Sequence, residues 1–203
     1  FEAVTISFVT PELFALFQPE PARPQLSVDH SSRRQENLLR QSLVPSLLQS
    51  RRENERHGCF GVDLFEIANV YLEARPGSAG SEPTRVTAVS GRSFGELKGV
   101  CQMVIDHLAP QSRLSCAPCD LPGFVQGRGS AVSINGTPCG WLGELSRDVT
   151  DSIDLRDAVT IVELDLDPIE QAVELTRRYT TLPRFPTIER DMNFLLDDNV
   201  TWD

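Results

Sequence analysis

SAVSINGTPCGWLGEL, residues 130–145, is the stretch on which the fold turns. Two runs with strand character, Ser130–Ile134 and Cys139–Leu145, flank Asn135-Gly136, a dipeptide suited to the positive φ angles of a two-residue hairpin turn. Strands joined this closely run antiparallel, because a parallel pair needs a crossover of a dozen residues or more. Downstream, Thr160–Leu166 predicts a further strand and Pro168–Leu175 a short helix. Upstream, Ser93 and Glu96 have capping-box spacing and lead into Leu97, Val100, Cys101, Val104, Ile105 and Leu108, a helical period that stops before Pro110. A long, somewhat bulged strand over Val62–Leu72 and a second over Val86–Val89 are joined by the loop PGSAGSEP, residues 76–83, as another hairpin. Hairpins with long helices between them predict an α+β fold, an antiparallel sheet flanked by helices.

The N-terminal part adds a strand over Val4–Val9, a helix start at Thr10-Pro11-Glu12, and a loop where Pro19, Pro21 and Pro24 forbid a helix. Next comes LLRQSLVPSLL, residues 38–48. Ser42 caps a helix from Leu43, and Pro45 sits in the first turn, where its missing N–H has no partner to lose. Leu43, Leu47 and Leu48 make an apolar stripe. Arg51, Arg52, Glu53, Glu55 and Arg56 make a solvated or interface-facing end, and Gly58 stops the helix. At the far end Met192–Leu196 predicts a strand with nothing after it to complete a fold.

Bulk composition narrows the function. Hydrophobic content of 40% and charged content of 24% are ordinary for a globular chain of 203 residues. Nineteen basic against 29 acidic residues give a net charge of −10, which argues against a primary nucleic-acid grip while leaving room for a local basic patch. No apolar run reaches the roughly 18 residues of a membrane span, and FEAVTISFV lacks the pattern of a signal peptide. It reads instead as the opening of a piece cut from a longer polypeptide. Five cysteines, an odd number, suit a reducing cytoplasm.

Candidate chemistry is thin. Cys116-Ala117-Pro118-Cys119 has the spacing of half a zinc site or a redox pair, but no second ligand pair exists, and the surrounding Pro118, Pro122 and Gly123 predict two loop thiols. His30, His57 and His107 have no ligand spacing. Asp63, Glu66 and Glu73 share one strand, with Glu66 on the opposite face from the other two. Gly127-Arg128-Gly129-Ser130 fits neither a Walker loop nor a dinucleotide fingerprint. No catalytic residue and no metal site emerges.

Seven segments taken together resemble the C-terminal half of the β subunit of bacterial phenylalanyl-tRNA synthetase. They are EAVTISFVTPEL (2–13), LLRQSLVPSLLQSRREN (38–54), DLFEIANVYL (63–72), SFGELKGVCQMVIDHL (93–108), GTPCGWLGELSRDV (136–149), IVELDLDPI (161–169) and RFPTIERDMNFLLDDNV (184–200). The resemblance implies a class II synthetase-like core over residues 1–180 that has lost catalysis. It also implies a linker and the start of a ferredoxin-like anticodon-binding module over 181–203. The implied partner is a catalytic α subunit in an α2β2 enzyme acting on phenylalanine tRNA. ATP and Mg²⁺ are expected for that complete enzyme and none in this piece.

The chemistry of the residues agrees with that expectation. ATP-dependent aminoacylation needs arginines on the phosphates, and here the strand around Ile161 reads Val162-Glu163-Leu164-Asp165-Leu166-Asp167, acidic where positive charge is required. Arg40 is accordingly expected to anchor a helix entrance through a carboxylate such as Glu66. Leu43, Leu47, Leu48, Arg51 and Arg52 are the expected subunit interface. The competing expectations are a free-standing ligase-like domain that still binds ATP, and a cysteine-centred metal or redox module.

Overall fold

A computed structural model describes residues 1–17, 23–28, 36–72, 82–176, 185 and 188–197. In chain order the elements are β1 (Phe8–Val9), α1 (Pro11–Ala15), β2 (Leu38–Leu39), α2 (Val44–Arg56), β3 (Leu64–Asn69), β4 (Thr84–Ser90), α3 (Phe94–Leu108), β5 (Leu114–Pro118), β6 (Phe124–Ile134), β7 (Thr137–Leu145), α4 (Arg147–Ser152), β8 (Thr160–Asp165) and α5 (Leu166–Ala172). Six strands form one antiparallel sheet in the order β3-β4-β8-β7-β6-β5, and β1 pairs with β2 beside it.

The turn at Asn135-Gly136 has φ angles of 51° and 81°, so both residues take the left-handed conformation that a tight hairpin demands. Farther along, Val132 pairs with Gly140 and Ser133 with Pro138, which leaves Cys139 as the extra residue of a bulge. Gly140 has a φ of 152°, and a Cβ there would overlap the Glu163 carbonyl oxygen. Only glycine lets β7 and β8 approach at that point.

Each face of the sheet carries its own core. On one, Leu43, Val44, Leu47 and Leu48 pack with Leu64, Val89, Trp141 and Ile161. On the other, Leu97 and Ile105 of α3 and Ile169 of α5 pack with Val132, Leu142, Val162 and Leu164. The alternation along β8 is therefore shared: Ile161 and Glu163 face α2, Val162 and Leu164 face α3 and α5. Each fully buried leucine contributes about 1.5–3 kcal/mol of transfer free energy.

Several expectations change. The strand expected over residues 4–9 pairs only at Phe8 and Val9, while Glu2 bridges to Phe65 in parallel. The long strand over 62–72 is regular only at Leu64–Asn69. The Cys116 segment is strand β5 rather than loop, because Cys116 pairs with Val132 on the edge of the sheet. Helix α4 carried no expectation. Residues 192–196 form no strand: they are exposed and have no ladder partner, and an isolated strand leaves its backbone unpaired. His30, Glu73, most of the 76–83 loop, most of the proline loop before residue 23, and the boundary near 180 lie outside the described residues.

Candidate subunit interface

Helix α2 departs most from expectation. Leu43, Leu47, Leu48 and Arg51 have no exposed surface at all, so their side chains belong to this chain's own core. The Arg51 guanidinium is buried with a single hydrogen-bond acceptor among the described residues, and its Nε and Nη2 make no hydrogen bond. Its Nη1 donates to the Val62 carbonyl at 2.9 Å, and its Nε lies 3.5 Å from Glu55 Oε1 one turn on. Gly91 leaves the space: a Cβ there would stand 3.1 Å from Arg51 Nη2. Arg52 alone of the five is partly exposed.

The start of the helix is fixed by a buried acid. Glu163 Oε1 accepts from the Leu43 N–H at 2.9 Å, the Ser42 hydroxyl at 3.0 Å and the Thr87 hydroxyl at 2.9 Å, while Oε2 takes Arg85 Nη1 at 3.0 Å. The Ser42 hydroxyl in turn accepts from the Val44 N–H at 3.1 Å. Arg85 Nε reaches Asp165 Oδ1 at 2.8 Å. Burial pushes the Glu163 carboxyl above its ordinary range, against the pull of Arg85, the Leu43 N–H, Thr87 and Ser42. The carboxylate at the helix N-terminus also meets the positive end of its dipole.

The structure brings Arg40 and Glu66 together. Arg40 Nη1 lies 3.1 Å from Glu66 Oε1 and donates to Thr5 Oγ1 at 2.8 Å, and Arg40 Nε donates to the Asn69 carbonyl at 3.1 Å. Glu66 also accepts from the Thr5 N–H and hydroxyl, at 3.1 and 2.6 Å. Arg40 and Arg85, two of the three buried arginines on this side of the sheet, are thus both matched by carboxylates. The residues do not fit a triphosphate, whose charge would meet Glu66, Glu163 and Asp165.

Pairing through Glu66 inverts β3. A strand on a soluble edge buries its apolar side chains, but here Glu66 is 2% exposed while Phe65 is 38% and Ile67 51% exposed. Beside them the outer face of α3 shows Val100, Val104 at 43% and Met103 at 64%. Between α3 and the sheet lies a cavity of about 530 Å³ lined by Phe65, Ile67, Val86, Val100, Val104 and Leu164 among others. At its rim Asp63 accepts from Ser90 at 2.6 Å and Arg92 at 3.0 Å. Burial lifts the Asp63 carboxyl, but these partners outweigh it and hold it below its usual range. The cavity is continuous with the exposed Phe65, Ile67, Val100, Met103 and Val104, a contiguous apolar patch of the kind that marks interaction sites.

The sequence carried a signal for this surface. In α3 the positions 97, 100, 101, 103, 104, 105 and 108 are all apolar or sulfur-bearing, too many for one face. In β3 Leu64, Phe65, Ile67 and Ala68 fall on both faces.

Burial pushes Cys101 up to about 11 and Cys139 up to about 12, and raises Cys116 and Cys119. No group of three His, Cys, Asp or Glu among the described residues could hold a metal ion. Nor is any helix among them long and apolar enough to cross a membrane.

Comparison with known proteins places this architecture. Solved pyrrolysyl-tRNA synthetase structures from Desulfitobacterium hafniense superpose with TM-scores of 0.65 and 0.63 at 17% and 18% identity, over 84% of this chain and 62% and 60% of theirs. The antiparallel sheet with flanking helices is therefore the class II synthetase fold. The phenylalanine–tRNA ligase β subunit of Rhodopirellula baltica is 32% identical over 211 residues, and that of Clostridium acetobutylicum 27% over 207. These alignments cover 99% and 98% of this chain, which spans only 31% and 26% of the relatives' length. The family model described as the phenylalanyl tRNA synthetase beta chain CLM domain matches residues 1–166. The chain belongs to that family.

Proposed function

We propose that this chain is a noncatalytic, class II synthetase-like scaffold of a phenylalanine–tRNA ligase β subunit. It supports ATP-dependent attachment of phenylalanine to its tRNA by packing on a catalytic α subunit, in an α2β2 enzyme of the cytoplasm. The observation that carries this reading is the inversion of β3. Glu66 is turned inward to meet Arg40, and Phe65 and Ile67 are turned outward beside Val100, Met103 and Val104. Such a surface favours a protein partner, whose apolar side chains would recover the transfer free energy left in water.

The noncatalytic part of the reading draws support from Arg40 and Arg85, both matched by carboxylates. ATP, Mg²⁺, phenylalanine and tRNA are then handled by the complete enzyme. Residues 1–180 serve as the scaffold and 181–203 lead into a following module.

The test is light scattering after gel filtration of this chain alone and mixed with the α subunit from the same source. A shared peak of defined mass is the expected result. Separate peaks, together with saturable ATP binding by the chain alone, would replace the scaffold with a free-standing ligase-like domain.

A further inference from the structure

We propose that a recess between the C-terminal half of α2 and α4 binds a phosphate-class oxyanion, held by Arg52 and Arg156. The recess measures about 560 Å³ and gathers Arg52, Glu55, Arg56, Arg147, Asp151, Asp154 and Arg156. Four arginines in one place are unusual for a chain with a net charge of −10.

Charge matching leaves two of them over. Glu55 Oε1 lies 3.5 Å from Arg51 Nε, Asp151 Oδ1 lies 2.9 Å from Arg147 Nε, and Asp154 Oδ2 lies 4.0 Å from Arg56 Nη2. Each carboxylate of the recess thus lies within 4.0 Å of an arginine other than Arg52 and Arg156. Among the described residues neither Arg52 nor Arg156 has a carboxylate partner, and the Nε of Arg52 is buried without a hydrogen-bond acceptor. A guanidinium only donates, so what is missing is an acceptor, and two guanidiniums sharing one recess call for an oxyanion.

The loop that carries Arg156 is held from both sides. Its N–H donates to Glu55 Oε2 at 3.2 Å, and its carbonyl accepts from Arg147 Nη1 at 3.1 Å. The backbone at the mouth of the recess is therefore fixed while the Arg156 side chain stays exposed. The planar fork of an arginine matches two oxygens of a phosphate, whether the phosphate is free or part of an RNA backbone.

Calorimetric titration of the 203-residue chain with inorganic phosphate, and separately with a short RNA lacking terminal phosphates, tests the site at low salt. Saturable phosphate binding is expected, at least tenfold weaker in Arg156→Glu and in Arg52→Ala and unchanged in Arg113→Glu, which alters an exposed arginine elsewhere. Arg156 is exposed, so its variant keeps the fold even where Arg52→Ala disturbs α2. RNA binding that phosphate competes away assigns the site to an RNA backbone; phosphate binding alone assigns it to a free anion. No saturable binding of either probe, or binding that survives both variants, overturns the proposal. None of these readouts involves the α subunit, so the outcome is independent of the scaffold reading.

Discussion

Glu163 decides how α2 meets the sheet, because one carboxylate satisfies the helix start, two hydroxyls and Arg85. Removing one partner of a buried pair leaves the other charged and unsolvated. Glu163→Ala is accordingly expected to destabilise the chain by about 3–5 kcal/mol in urea unfolding, with Glu163→Gln recovering part because the amide oxygen still accepts. Equal loss in the two variants would mean that the charge, not the acceptor, holds the helix. The sequence suggested only that an acidic strand repels a triphosphate. That Glu163 reaches Leu43 across 120 positions is a tertiary fact that no local pattern encodes. Arg40 and Glu66 were legible as a pair because an arginine among leucines and an acid on an apolar strand each lack a local partner. The cysteines give a second prediction at this scale. Cys59 is exposed, whereas Cys101 and Cys139 are pushed up to about 11 and about 12 by burial. An alkylating reagent at pH 8 should label Cys59 within minutes and leave Cys101 and Cys139 unmodified in the native chain, as mass spectrometry of digests would read. Since the thiolate is the reactive form, fast labelling of Cys139 would contradict the buried bulge.

At the scale of elements, the hairpins and the capped helix α3 were readable because their signals are local. Asn135-Gly136 fixes a turn, and the Ser93 hydroxyl accepts from the Glu96 N–H while Glu96 reaches back to the Ser93 N–H. Strand β5 was not readable, since Pro118 and the cysteine spacing speak for a loop and only pairing with β6 makes it a strand. The role of α2 was not readable for a related reason. A leucine stripe says that a face is covered, but not whether the cover is this chain's sheet or another subunit. Leu47→Ala separates the two: in the core it should cost the isolated chain about 2–5 kcal/mol, whereas an interface residue would leave isolated stability unchanged. Gly140 offers a sharper case. Gly140→Ala both strains a positive φ and drives a Cβ into the Glu163 carbonyl, so a loss of about 3 kcal/mol or more is expected, with β7 and β8 losing amide protection first.

For the whole molecule the question is why a sheet flanked by helices on both faces still exposes so much apolar surface. On the face carrying α2 the core is continuous, and Arg40 and Arg85 are paired with carboxylates. On the face carrying α3, Phe65, Ile67, Val100, Met103 and Val104 remain in water beside the 530 Å³ cavity. Exposed positions contribute little to the stability of the isolated chain, so Ile67→Asp and Val104→Asp should leave its unfolding midpoint nearly unchanged. A charge placed in an apolar contact loses its hydration without gaining a partner, so the same variants should abolish the shared gel-filtration peak with the α subunit. Combined substitution of Glu53 and Gln49 on the outer side of α2 supplies the comparison, because it alters an exposed helix face away from the cavity. Loss of the peak from the α3 surface alone would assign the interface to the inverted strand. Loss from α2 alone would return it to the helix, through polar outer positions and not through the buried leucines.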